Sequence, residues 1–203
     1  MPTEVENAIA ALRAGEPILI PTDTVYGLAA DASSEAAARR LYRLKGRDDI
    51  QPTAVVFASL EQLYGCVPEL VGDIAAVVDA LLPGALTLVV ANPAARYAWV
   101  CGDSGALGVR VPRLTDPVTQ VVAAAGPVVA TSANLRGDPD PRRVVDVSTI
   151  VVNGVGAVVD GGELPGVPST VVDLTGSEPT ILRDGAVAPA EVFARISEAD
   201  TAR

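Results

Sequence analysis

The chain has 203 residues, 49% of them apolar, which suffices for one sizeable core and excludes a disordered chain. Its 15 basic and 25 acidic residues give a formal charge of −10, which argues against broad nucleic-acid binding through a positive field. There is no histidine, so the commonest general base, the commonest metal ligand and any Ser-His-Asp triad are excluded.

No apolar run reaches membrane-spanning length, and Met1-Pro2-Thr3-Glu4 lacks the regions of a signal peptide. Cys66 and Cys101 have no CxxC spacing and read as small buried hydrophobes in a reducing compartment. The expectation is a cytoplasmic protein without membrane association.

In chain order, Thr3 with Glu6 reads as a capping box opening a helix that Gly15 closes. Pro17 to Ile20 is a buried strand, followed by a polar loop from Pro21 to Gly27. Ser33 or Ser34 caps a helix through about Leu44, and a charged loop runs from Lys45 to Pro52. Thr53 to Phe57 is a strand, and Ser59 with Gln62 a second capping box. Pro68 opens a helix that Pro83-Gly84 stops. Strands are expected at Leu86–Val90, Leu107–Val111, Val128–Thr131, Val155–Val159 and Thr170–Leu174, with a helix over Asp116–Ala125. Pro189 opens a last amphipathic helix to about residue 198, and Ala199 to Arg203 are expected to fray.

Strands and helices alternate without a strict βαβ rhythm. The reading is one α/β domain over residues 1–203, core about 5–187, with a twisted mixed parallel and antiparallel open sheet and flanking helices. Polar residues collect at the strand ends, where open α/β sheets bind ligands. Lys45 and Arg47 offer a point charge and a planar fork, both suited to phosphate. No GxxxxGK[ST] loop, GxGxxG turn or G-x-S-x-G elbow occurs.

Eight segments recur in the order of one family. They are Pro21-Thr22-Asp23-Thr24-Val25-Tyr26-Gly27-Leu28, Lys45-Gly46-Arg47, Pro83-Gly84-Ala85-Leu86-Thr87, Gly108-Val109-Arg110-Val111-Pro112, Thr131-Ser132-Ala133-Asn134, Asp160-Gly161-Gly162, Ser169-Thr170-Val171-Val172-Asp173 and Ile181-Leu182-Arg183-Asp184-Gly185. Over roughly residues 10–187 the chain resembles the YrdC/TsaC-like threonylcarbamoyl-AMP synthases, whose fold surrounds a concave cavity.

That resemblance implies condensation of L-threonine, bicarbonate and ATP, as its Mg²⁺ complex, into threonylcarbamoyl-adenylate and pyrophosphate. Partner proteins would transfer the group to tRNA, with weak tRNA binding by the chain itself. By motif, Lys45, Arg47, Ser132 and Asn134 are implied as catalytic, and Arg47, Gln51, Ser132, Asp140 and Arg183 as nucleotide-binding. Thr24, Arg110, Ser169 and the Ala130 backbone are implied for threonine, with no fixed protein ligand for the metal. Three departures stand out: Asp48-Asp49-Ile50 before Gln51-Pro52, Val56 where relatives often carry histidine, and Asp140 where they carry serine. The rival reading is a non-catalytic RNA-binding module of the same fold, which the −10 charge disfavours.

Overall fold

The computed structural model describes residues 2–46 and 51–201. Thr3 caps α1 (Glu4–Arg13) by the expected reciprocal box: its hydroxyl accepts from the Glu6 N–H, and Glu6 Oε2 accepts from the Thr3 N–H at 2.7 Å. Gly15, at φ 71°, turns the chain into β1 (Ile18–Pro21). β2 (Tyr26–Asp31) follows. Ser34 caps α2 (Glu35–Leu44). Then come β3 (Ala54–Val56), α3 (Leu60–Cys66), α4 (Asp73–Leu81), β4 (Leu86–Val90) and β5 (Leu107–Arg110). The second half holds α5 (Asp116–Ala125), β6 (Val128–Ser132), α6 (Thr149–Gly154), β7 (Ala157–Val158), β8 (Thr170–Asp173), β9 (Thr180–Arg183) and α7 (Pro189–Thr201).

Several expectations change. β2 takes in the end of the expected Pro21–Gly27 loop and a stretch with no expected element, because Gly27, Ala29 and Ala30 are poor strand formers and both faces are buried, so no alternation shows. β9 and α6 were also unexpected. The helix expected from Pro68 begins at Asp73, since Gly72 lies at φ 65° and breaks any earlier turn. Gln62 does not return to the Ser59 N–H; its Oε1 accepts from the Ala58 N–H at 2.8 Å. The strand over 155–159 shrinks to Ala157–Val158. α7 runs on to Thr201, past the expected end near residue 198, and Ala202 and Arg203 lie outside the described residues.

Among the described residues the strands form one mixed open sheet, in the order β7-β1-β2-β6-β3-β5-β4-β8-β9. β3–β5, β4–β8 and β1–β7 pair in parallel, and the other neighbours antiparallel. On one face Leu19, Leu28, Val55, Leu88, Val109 and Val172 join residues of α2, α3, α4 and α7 in the larger core. On the other, Ile18, Ile20, Ala29, Val56 and Val128 meet α1 and α5. No helix among the described residues is long and apolar enough to cross a membrane.

The second face is only half covered. In β4, β5 and β8 burial alternates along the strand. Leu86, Leu88, Val90, Leu107, Val109 and Val172 point into the larger core. Their alternates Thr87, Val89, Gly108, Arg110, Val171 and Asp173 line a cavity instead. The strand period therefore builds both core and cavity from the same segments.

Candidate active site

The cavity has a volume of about 1090 Å³, large enough for two small substrates side by side. Of the residues implied by motif, Thr24, Gln51, Arg110, Ala130, Ser132, Asp140, Ser169 and Arg183 line it. Segments far apart in sequence thus converge on one space. Arg47, with Asp48 and Asp49, lies outside the described residues.

One wall is the loop after β1. The Thr22 hydroxyl donates to the Val25 carbonyl at 2.7 Å, which leaves Thr24 as donor in their 2.9 Å contact. The Thr24 oxygen then accepts from Arg110 Nη2 at 2.7 Å. The same Nη2 donates to Asp23 Oδ1 at 2.6 Å. Arg110 sits at the end of β5, opposite Val56 of β3. Its Nε is buried and has no hydrogen-bond partner among the described residues. Burial pushes the Arg110 guanidinium below its ordinary value, the Asp23 carboxylate draws it back up, and the like charge of Arg183 lowers it again.

The opposite wall is the start of β8. The Ser169 hydroxyl lies 2.8 Å from that of Thr87. Arg183 donates to the Ser169 carbonyl at 2.8 Å and to its hydroxyl at 3.2 Å, both through Nη2. Arg183 thus lines the cavity while its fork holds Ser169.

At the end of β6, Lys45 is only 2% exposed. Its Nζ donates to Asn134 Oδ1 at 2.9 Å, to the hydroxyls of Thr131 and Ser132 at 3.2 Å each, and to the Ser132 carbonyl. The Ser132 hydroxyl donates to Asn134 Oδ1 at 2.6 Å. Asn134 Nδ2 donates to the Asp138 carbonyl at 2.6 Å. Ser132 reaches the cavity lining, whereas Lys45 and Asn134 stand behind it and fix the strand end. Four oxygens thus surround one buried ammonium, which is how such a charge is tolerated.

Tyr26 ties this region to the Asp160-Gly161-Gly162 turn. Its hydroxyl donates to Asp160 Oδ1 at 2.8 Å and accepts from the Gly161 N–H at 2.9 Å. Burial, reinforced by Asp160, pushes the phenol up to about 12. Sequence reasoning missed Asp23, Thr87 and Asp173. Thr87 and Asp173 could have been found from strand alternation against Leu86, Leu88 and Val172, but nothing local marks Asp23 as the partner of Arg110.

The Sua5/YciO/YrdC family model, described as telomere recombination, matches residues 10–185. The threonylcarbamoyl-AMP synthase of Pyrococcus abyssi is 32% identical over 196 residues, covering 96% of this chain and 58% of that protein. This chain therefore spans little more than half the length of that relative. The threonylcarbamoyl-AMP synthase of Stenotrophomonas maltophilia is 35% identical over 159 residues, 77% of this chain and 86% of that one. The crystal structure of Pyrococcus abyssi Sua5 complexed with L-threonine superposes with a TM-score of 0.85 at 33% identity, covering 98% of this chain and 59% of that one. The chain belongs to the Sua5/YciO/YrdC family.

Proposed function

We propose that this chain is a threonylcarbamoyl-AMP synthase that condenses L-threonine, bicarbonate and ATP. The observation that carries the reading is the buried Arg110 fork, lining a cavity between the hydroxyl-bearing walls of Thr24 and Ser169. A planar guanidinium lining a concave cavity is suited to a small carboxylate. Hydroxyls around it are suited to an amine and an alcohol, the other groups of threonine. The Pyrococcus abyssi relative held with L-threonine supports the same choice of substrate.

In this reading Arg110 takes the α-carboxylate of threonine, and Thr24, Ser169 and Thr87 orient its amine and hydroxyl. The amine nitrogen attacks the bicarbonate carbon; hydroxide leaves and takes the amine proton, giving a carbamate and water. A carbamate oxygen then attacks the α-phosphorus of ATP. The bond to the β-phosphate oxygen breaks, and pyrophosphate departs. No protein general base is required, in keeping with a chain that has no histidine.

Lys45 holds the Ser132–Asn134 strand end against the nucleotide, and Arg47 supplies charge to the phosphates. Gln51 and Asp140 complete the nucleotide side. Magnesium would come bound to ATP and would offset charge on its phosphates. Among the described residues no three acidic or cysteine side chains cluster as a metal cage. The product would pass in the cytoplasm to proteins that transfer threonylcarbamoyl to tRNA.

The test is pyrophosphate release from ATP with threonine and bicarbonate each omitted in turn. Release is expected to require both. Release that ignores threonine would sink the reading.

A further inference from the structure

The carboxylate of Asp23 joins two segments that only the fold brings together. Oδ1 accepts from Arg110 Nη2 at 2.6 Å, and Oδ2 accepts from the Arg113 backbone N–H at 3.0 Å. Both side chains of the ion pair are largely buried, at 12% and 13% exposure. Thr24, the next residue, accepts from the same Arg110 nitrogen at 2.7 Å. The bonds from Asp23 and Thr24 thus gather on one corner of the guanidinium.

We propose that Asp23 is a positioning residue for the amino-acid substrate, fixing the rotation of Arg110 so that the rest of its fork meets the substrate carboxylate. The inference rests on the threonine reading given above. Two oxygens used in two directions make Asp23 a hinge-pin: one end is anchored to the main chain at Arg113, and the other sets the guanidinium plane. A long side chain at the end of a strand has several rotamers of similar energy. The anchored carboxylate selects one of them before substrate arrives, which lowers the ordering cost of binding.

A simpler role gives the opposite sign. If Asp23 only offset the charge of Arg110, neutralising it would strengthen the attraction for a second carboxylate. If it orients the fork, neutralising it weakens binding, because an amide oxygen can accept one of the two bonds and not both.

The experiment is calorimetric titration of L-threonine and, separately, of ATP into the wild type, Asp23→Asn and Asp23→Glu, with thermal unfolding of each. Asp23→Asn is expected to weaken threonine binding about tenfold, near 1.4 kcal/mol, while ATP affinity stays within about twofold. Asp23→Glu keeps the charge but displaces the fork by one methylene, and is expected to weaken threonine binding as well. Unchanged or tighter threonine binding in Asp23→Asn overturns the inference, and so does equal loss of threonine and ATP. If Asp23→Asn does not fold, Asp23→Glu decides, and wild-type threonine affinity there overturns it. A wild type that binds no threonine overturns the threonine reading itself. Wild-type binding that survives in both variants overturns only the role of Asp23.

Discussion

Lys45 Nζ lies 2.9 Å from Asn134 Oδ1, across 89 residues of sequence. Lys45 follows the last turn of α2, and Asn134 follows β6, so this contact ties a helix end to a strand end beneath the cavity. Removing the ammonium takes this donor from the Ser132 carbonyl and leaves Asn134 Oδ1 with the Ser132 hydroxyl. Lys45→Ala is therefore expected to cost about 2 kcal/mol or more, at roughly 1–3 kcal/mol per buried group left unpaired. Lys45→Arg should not rescue it, because a planar fork cannot satisfy oxygens arranged around a point charge. Urea unfolding and pyrophosphate release should fall together. An unchanged midpoint would show that this cluster does not hold the strand end.

Gly185 makes the complementary point for the other wall. A Cβ there would stand 2.4 Å from the Pro168 carbonyl oxygen and 2.4 Å from the Ser169 carbonyl carbon. These are backbone atoms and cannot rotate away. Gly185→Ala is expected to destabilise by about 1–3 kcal/mol, as overpacking does, and to shift Ser169 away from Thr87. The melting temperature should fall and the KM for threonine should rise, whereas Gly176→Ala, with 3.6 Å to its nearest neighbour, should do neither.

The sequence made these walls legible to different degrees. Local rules sufficed for α1 and α2, because capping by Thr3 and Ser34 acts within three residues. They failed for β2, whose glycine and alanines qualify as a strand only through pairing with β1 and β6, and for β9, a short exposed edge. The motifs located Thr24, Arg110, Ser132, Ser169 and Arg183, which do converge on one cavity. What they could not convey was direction. Lys45 turns into the protein, Arg183 turns toward Ser169, and Asp23 meets Arg110 across 87 residues. Such pairings are set by sheet order, which no short window contains.

Tyr26 gives a pH signature. Its phenol is pushed up to about 12 by burial and by Asp160. An acid whose folded pKa is raised stabilises the protein fully below the unfolded value, near 10, and loses that contribution as pH climbs through the folded value. Stability should therefore decline between about pH 10 and 12. Tyr64, raised by burial and Asp79, and Tyr97, raised by burial and Cys66, add to the same limb. Tyr26→Phe should make the alkaline decline shallower. At neutral pH it should cost about 1–3 kcal/mol, because the Gly161 N–H loses its acceptor. Melting temperatures across pH 8–11 check both, and an alkaline slope unchanged by the substitution would reassign the limb to the other two phenols.

Arg110 separates binding from stability. Arg110→Ala leaves the buried Asp23 carboxylate without its cation, holding only the Arg113 N–H, and breaking such a pair typically costs about 3–5 kcal/mol. Loss of activity in that variant combines lost binding with a loop that has lost its bonds from Arg110 to Asp23 and Thr24. Replacing the whole pair by Asp23→Asn with Arg110→Met removes both charges, and such replacements are often neutral. The double variant should recover most of the stability lost by Arg110→Ala. It should still show a threonine KM raised at least about thirtyfold, near 2 kcal/mol, because no guanidinium remains for the carboxylate. The KM for ATP should change little if the nucleotide side is built, as proposed, from Gln51, Ser132 and Asp140, which line the cavity outside the Asp23–Arg110 hydrogen bonds. Urea midpoints with initial rates at varied threonine and varied ATP separate these effects. A double variant that is stable and keeps the wild-type threonine KM would remove Arg110 from the binding site and leave it as a structural partner of Asp23.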